Sequence, residues 1–342
     1  MAPRRKRKLA LVGTDSLRGQ EIKTVLDAKP FPPFEIEFYD PGVVEEFSKL
    51  TQFRKEPMLI RGLEPDSLDG KDLVFLATDE KTAKAVGLRA AEGRFRAIDL
   101  SEAFNEREDV PLIVAGVNDF VLDGARPPLI ANPHPVTIIL SRCLHQVLSR
   151  FGLAKAVVFV LQPVSAFGDP GIQELASQSV GLLNASTPKP KVFGAQIAFN
   201  ILPSAEPPAE DGSCPAEGRV AAEIRRVLGR PSLPLVLSII QAPVFHSYSL
   251  MAYVELEREA GPEDLAAAFA EEPDFKVTPA AESCAVSAIA ISGKDEIFVG
   301  RIRREADAPR AFWLWLVADN LTRGSALNAA AIARRLLEAK PR

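Results

Sequence analysis

The sequence predicts an α/β protein: a doubly wound parallel sheet, followed by an α+β domain on a mainly antiparallel sheet. Three observations carry this. The chain opens with an all-apolar run, Leu9-Ala10-Leu11-Val12, that stops at Gly13, as does a strand buried on both faces of a parallel sheet. Strand-like runs and helical periods then alternate as far as Val117, which is the β-α-β rhythm. After a long apolar helix beginning near Thr137 that rhythm changes, and several strand-like runs crowd the C-terminal half.

In order, the turn after Gly13 leads to a helix from about Gly19 to Ala28. Phe34 to Tyr39 alternates apolar and polar residues as a second strand, and Asp72 to Ala77 is a third. A helix spans Lys81 to Glu92, and Phe95 to Leu100 and Pro111 to Val117 supply further strands. A ligand of such a sheet binds at the carboxyl ends of its strands. The helix from Thr137 runs to about Phe151. Val157 to Leu161, Leu235 to Ile240, Met251 to Leu256, Cys284 to Ile291, Ile297 to Ile302 and Phe312 to Val317 read as strands of the second sheet. Ser204 to Pro215, rich in Pro, Ala, Glu and Ser, reads as an exposed loop before a helix at Glu217 to Leu228. Leu327 to Ala339 is an amphipathic helix with Arg334 and Arg335 on its polar side.

At 342 residues the chain can bury a substantial core, and 47% hydrophobic with 25% charged residues is ordinary for a globular protein. A net charge of −4 gives no reason to expect nucleic acid. The basic run from Arg4 to Lys8 reads as a solvated leader. No apolar run approaches the ~20 residues of a membrane span, and Leu9 to Val12 is too short for a signal-peptide core. Cys143, Cys214 and Cys284 lie far apart, without metal-ligand or disulfide spacing. That usage predicts a cytoplasmic protein, and three histidines give little support for a metal.

Several strings, in order and at matching spacings, resemble the aspartate-semialdehyde dehydrogenases. They are Leu11-Val12-Gly13 with Gly19, Ile130-Ala131-Asn132-Pro133, Gln162-Pro163-Val164-Ser165, Ile197-Ala198-Phe199-Asn200, Gly293-Lys294-Asp295-Glu296 through Gly300-Arg301-Ile302-Arg303, and Val317-Ala318-Asp319-Asn320-Leu321 with Gly324 and Leu327-Asn328. The resemblance implies a Rossmann-like NAD(P)-binding domain over residues 1–134. It implies a catalytic and dimerisation α+β domain over 135–323, and a C-terminal helix in 324–342 that packs back on the first domain. In that family a cysteine thiolate attacks the semialdehyde carbonyl, a histidine handles protons, and hydride passes to NADP before phosphate releases the acyl group.

Mapped residue by residue, the resemblance is degenerate where chemistry is done. The family segment N-P-N-C-S-T reads Asn132-Pro133-His134-Pro135-Val136-Thr137 here. Pro135 fills the cysteine slot with neither a nucleophile nor an N–H. The base segment R-V-P-V-F-R-G-H-S aligns with Gln241-Ala242-Pro243-Val244-Phe245-His246-Ser247-Tyr248-Ser249. Tyr248 stands for the base, and Gln241 for the arginine that binds the substrate carboxylate. Asn105 stands for a phosphate-binding arginine, whereas Gln162 is retained. Glu217 and Arg219 fall on the family's substrate-contacting glutamate and lysine, in a spacing equally suited to a solvated helix face. His134 and His246 are the possible substitutes in a thiol-free mechanism, His246 on the condition that its segment is extended. Cys143, two helical turns beyond the slot, reads as a core residue.

The family's G-x-x-G-x-x-G turn reads Gly13, Ser16, Gly19, with the serine adding bulk where a pyrophosphate would approach. Asp40 follows the second strand, where it would repel a 2′-phosphate and accept from a ribose hydroxyl, so NAD is favoured over NADP. Thr78-Asp79 replaces paired glycines and brings a second carboxylate, and Asn320 completes the cofactor-side set. The reading is a homodimeric, catalytically inactive homologue that binds a ligand or a partner, an active homologue in a heterodimer being one such partner. The alternative is an NAD-linked oxidoreductase of altered chemistry.

Overall fold

The computed structural model describes residues 6–338 except 44–48, 65, 188, 205, 211, 280 and 283–285. Arg4, Arg5 and Cys284 therefore lie outside the described residues. The chain divides into two units, Met1–His134 with Ser325–Arg342, and Pro135–Gly324.

In the first unit β1 (Arg7–Val12), α1 (Leu17–Ala28), β2 (Phe34–Asp40), β3 (Lys49–Phe53), β4 (Glu56–Gly62), β5 (Leu73–Leu76), α2 (Glu80–Ala91), β6 (Ala97–Asp99) and β7 (Leu129–Ala131) build one sheet. Its order is β3-β4-β2-β1-β5-β6-β7, and every pairing is parallel except that of β3 with β4. The order reverses beside β1, so its C-terminal end at Gly13, next to the end of β5, is the topological switch point. The last helix of the chain, Leu327–Glu338, belongs to this unit. Its Ala329, Ile332, Ala333, Leu336 and Leu337 join Leu9, Ile22, Phe38, Phe75 and Ile130 in one core. Asn328, at its start, accepts the Ala115 N–H and donates to Ile113 O and Asn132 Oδ1, each at 2.8 Å.

The second unit contains α3 (Pro135–Phe151), β8 (Leu153–Gln162), α4 (Gly168–Leu183), α5 (Pro215–Val227), β9 (Leu235–Gln241), β10 (Tyr248–Leu256), α6 (Pro262–Ala270), β11 (Phe275–Val277), α7 (Ala288–Ile291), β12 (Ile297–Glu305) and β13 (Ala308–Ala318). The C-terminal helix is thus α8. The sheet runs β11-β12-β13-β10-β8-β9, antiparallel in its three central pairings and parallel at both margins. Period-two alternation buries Val158, Val160, Leu250, Ala252, Leu314 and Leu316 against α3, α5 and α6 in one core. On the opposite face Val236, Val157, Tyr253 and Trp313 form one cross-strand row, and Ser238, Phe159, Met251 and Trp315 the next. Every member of these rows is partly or fully exposed, with Phe159 at 42% and Val236 at 56%.

Two sequence expectations are corrected. Pro111 to Val117 makes a single bridge, Leu112 with Ala131, rather than a strand. Asn118 accepts the Val114 N–H and donates to Leu112 O, both at 2.8 Å, and so takes backbone groups a ladder would have used. The described part of Cys284 to Ile291 holds the short helix α7, with Val286 and Ile291 packed on Phe298 and Val317. The β3–β4 hairpin, α4, α6 and β11 were not expected.

Candidate functional site

The turn after β1 is built around its two glycines. Gly13 has φ +87°, and a Cβ there would stand 2.2 Å from the Ala77 carbonyl oxygen. A Cβ at Gly19 would stand 2.1 Å from the Gly13 carbonyl oxygen. Neither position admits a side chain, which lets α1 begin directly over the strand ends. Ser16 is the N-cap of α1. Its hydroxyl accepts the Gly19 N–H at 3.0 Å and lies 2.8 Å from Gly13 O and 2.6 Å from Ala77 O. The bulk expected of a serine here is turned inward, onto the ends of β1 and β5, and stabilises the helix start.

Asp40 closes β2. Burial, with Asp15 beside it, pushes its carboxyl above the usual range against the backbone amides of Thr14 and Asp15. Its Oδ2 is buried and meets no donor among the described residues. A carboxyl at the end of β2 occupies the place from which a dinucleotide-binding fold meets the ribose. Asp79 faces its own helix. It caps α2 through the Thr82 N–H at 3.0 Å and hydroxyl at 2.8 Å, which hold its carboxyl below the usual range. The second carboxylate is therefore engaged locally, and the residues at the switch point fit a nicotinamide dinucleotide.

Past β6, Asp99 accepts the Ser101 N–H at 2.9 Å and hydroxyl at 2.6 Å. Burial nonetheless raises its carboxyl above the ordinary range. Asn105 is a buried neutral amide, and Arg18 reaches Glu102 in the same loop at 2.9 Å.

In the second unit Pro135 is the first residue of α3, where its fixed φ and missing N–H are at no disadvantage. It packs so closely on Gly324 that a Cβ there would lie 2.9 Å from the proline Cβ. His134 precedes it, partly buried. Cys143 is fully buried among the core residues of α3, and burial pushes its thiol far up, so it supplies no thiolate. Cys214, at the N-cap of α5, is also buried.

Gln162, Gln241 and Tyr248 come together at the ends of β8, β9 and β10. The Tyr248 hydroxyl donates to Gln162 Oε1 at 3.2 Å, and Gln162 Nε2 to Gln241 Oε1 at 3.2 Å. Gln241 Nε2 donates to the carbonyls of Gln162 and Ala242 at 3.0 and 3.1 Å. Each of the three is at least nine-tenths buried. Both hydrogens of Gln241 Nε2 are thereby engaged, so the amide in the arginine's place has none left for a carboxylate.

The other predicted residues do not join it. β10 begins only at Tyr248, and Ser247 before it is left-handed at φ 72°. The condition that would bring His246 onto the face of Tyr248 is therefore not met. Glu217 accepts the N–H of Ile239 on the margin strand β9 at 2.7 Å. Arg219 pairs with Glu206 at 3.2 Å on the surface. Asn320 is buried, accepting the Ser247 N–H at 3.0 Å and donating to the Ser165 hydroxyl at 3.1 Å. Sequence reasoning missed the buried contact of Thr137 with Glu223, 2.6 Å; Thr137 follows the predicted slot by two residues, but its partner is remote in sequence. Among the described residues no cluster of His, Cys, Asp or Glu is arranged to hold a metal, and no helix is long and apolar enough to cross a membrane.

Compared with known proteins, the chain matches the semialdehyde dehydrogenase NAD binding domain over residues 8–125 and the semialdehyde dehydrogenase dimerisation domain over residues 144–323. The aspartate-semialdehyde dehydrogenase of Aquifex aeolicus is 30% identical over 97% of this chain and 98% of its own. The USG-1 protein homolog of Azotobacter vinelandii is 29% identical over 96% and 97%. The aspartate semialdehyde dehydrogenase II of Vibrio cholerae, solved in complex with ASA, superposes with a TM-score of 0.91 at 26% identity, covering 97% of this chain and 98% of that one.

Proposed function

The chain belongs to the semialdehyde dehydrogenase family, and we propose that within it this member binds NAD in preference to NADP, forms a dimer, and does not catalyse the phosphorylating dehydrogenation of a semialdehyde. One observation carries the reading. Where the family's nucleophile would stand, α3 opens with Pro135, a residue with no atom able to attack a carbonyl. NAD, where bound, would accept hydride from a carbonyl adduct, which Pro135 cannot form, and Cys143 and Cys214 are both buried. The network of Gln162, Gln241 and Tyr248 supports the same conclusion, because two amides and a phenol offer neither a fixed positive charge nor the imidazole that serves the family as base. Asp40 supports the choice of NAD. The half-open sheet face of the second unit supports a homodimer, and a mixed dimer with an active homologue would use the same face.

The test combines a thermal melt with NAD or NADP and an assay for aspartate semialdehyde oxidation in the presence of phosphate. A ligand of the native state adds about 2.7 kcal/mol at one hundred times its Kd, so NAD should raise the melting temperature more than NADP does. The assay should give no turnover above the protein-free rate. Reduction of either nucleotide that depends on both aldehyde and phosphate would overturn the inactive reading. A larger shift with NADP would overturn the specificity. Subunit exchange with an active homologue, read by native mass spectrometry, separates the homodimer from the mixed dimer.

A further inference from the structure

The hairpin β3–β4 turns through two residues, because Phe53 pairs with Glu56 across it. Those two residues are Arg54 and Lys55, with φ 51° and 64°. A two-residue turn with both positions left-handed is one that Asn-Gly adopts readily and that ordinary side chains resist. The strain is held in place by its surroundings. The Arg54 guanidinium lies over the rings of Phe34 and Phe53, 4.4 and 5.2 Å from their centroids. Toward α1, Lys23 donates to the Thr51 hydroxyl at 2.6 Å, and Lys49 pairs with Asp15. These contacts fix the distance between α1 and β3. Strain that a structure maintains in this way motivates a search for function at the strained residues.

What the hairpin and the helix enclose is a cleft of about 600 Å³. Lys23, Arg54 and Lys55 line it, together with the polar side chains of Gln20, Thr24 and Gln52. Two carboxylates also face it, Asp15 and Asp27. Asp15 pairs with Lys49, and Asp27 lies one helical turn beyond Lys23. Three cations thus stand beside Asp27, with Asp15 shared between Lys49 and Lys23 and with Asp40 near Lys23. Partial burial lowers the pKa of Lys23 even with Asp15 and Asp40 near it, as expected where desolvation of a cation outweighs the carboxylates beside it.

We propose that this cleft is a ligand site beside the dinucleotide turn, for a small phosphorylated molecule that carries hydroxyl groups. The phosphate is held between Lys23, Arg54 and Lys55, and the hydroxyls meet the amides of Gln20 and Gln52 and the Thr24 hydroxyl. The arginine supplies the planar fork that grips a phosphate, and the two lysines supply point charge.

The test is a thermal melt of the full chain titrated with inorganic pyrophosphate or glucose 6-phosphate, against sodium chloride at matched ionic strength. The parent should show a saturable rise with both compounds and none with the salt. The decisive variant carries Arg54→Asn with Lys55→Gly, which removes both cations and gives the turn residues at ease in the left-handed region. Without ligand it should melt no lower than the parent, while its affinity for either compound falls by about tenfold or more. Lys23→Met should weaken both titrations without touching the turn. The proposal is overturned if the parent does not respond to either compound beyond the salt. It is equally overturned if the double variant, folded and as stable as the parent, keeps the parent's titration.

Discussion

At the scale of single residues, the departures from the family pattern are absorbed by local bonding. Ser16 turns its hydroxyl onto the strand ends, Asp79 caps its own helix, and Pro135 opens α3. Asp99 is no such departure, and it is a carboxyl in a fully buried site whose pKa burial raises. A carboxyl with a raised folded pKa stabilises the fold while protonated and loses that contribution as pH rises through the folded value. Asp99→Asn keeps an acceptor for the Ser101 N–H and removes the buried charge. Its melting temperature should therefore exceed the parent's at neutral pH and converge with it below the ordinary carboxylate range. A parent that is the more stable of the two at neutral pH would refute this. The slots of Pro135, Gln241 and Tyr248 were legible in the sequence, because each is a change of chemical type within a recognisable string. Their bonding was not, because Gln162 meets Gln241 across 79 positions and Tyr248 across 86.

At the scale of elements, legibility followed periodicity. α1, α2, α3, α5 and α8 show a repeat that a helix imposes on its buried face. The β3–β4 hairpin was hidden because Arg54-Lys55 carries none of the Gly or Asn signal that marks a two-residue turn. Residues 111–117 misled because an apolar run looks the same whether a ladder or the Asn118 side chain satisfies its backbone. The start of α8 is the most exposed to a single change. Asn328 serves two backbone groups and Asn132 from a buried position. Asn328→Ala should destabilise the protein by about 2 kcal/mol or more, since buried groups would lose their partners. Urea denaturation would register this as a lower midpoint; an unchanged midpoint would show that α8 does not depend on the bond set.

At the scale of the whole molecule, each unit presents a distinct surface. The first offers the carboxyl edge of its parallel sheet, where Asp40 closes β2. The second offers two cross-strand rows, mostly aromatic and aliphatic, on the sheet face opposite α3, α5 and α6. A contiguous apolar surface of that kind marks an association site. Phe159→Asp combined with Val236→Asp, both at exposed positions, should leave the fold intact and convert a dimer to a monomer in sedimentation analysis. A dimer that survives the pair of charges would place the contact elsewhere.

By itself the sequence determined the family, the strongly periodic elements and the identity of the residue in each chemical slot. All three reside in local spacing and in side-chain type. The tertiary structure alone decided what those residues touch. It turned Ser16 and Asp79 toward their own helices, closed Gln162, Gln241 and Tyr248 on one another, and kept His246 off the strand face through a left-handed Ser247. Hydrogen-bond partners are settled by which strands lie side by side and where a backbone turns left-handed, and those are properties of the folded chain.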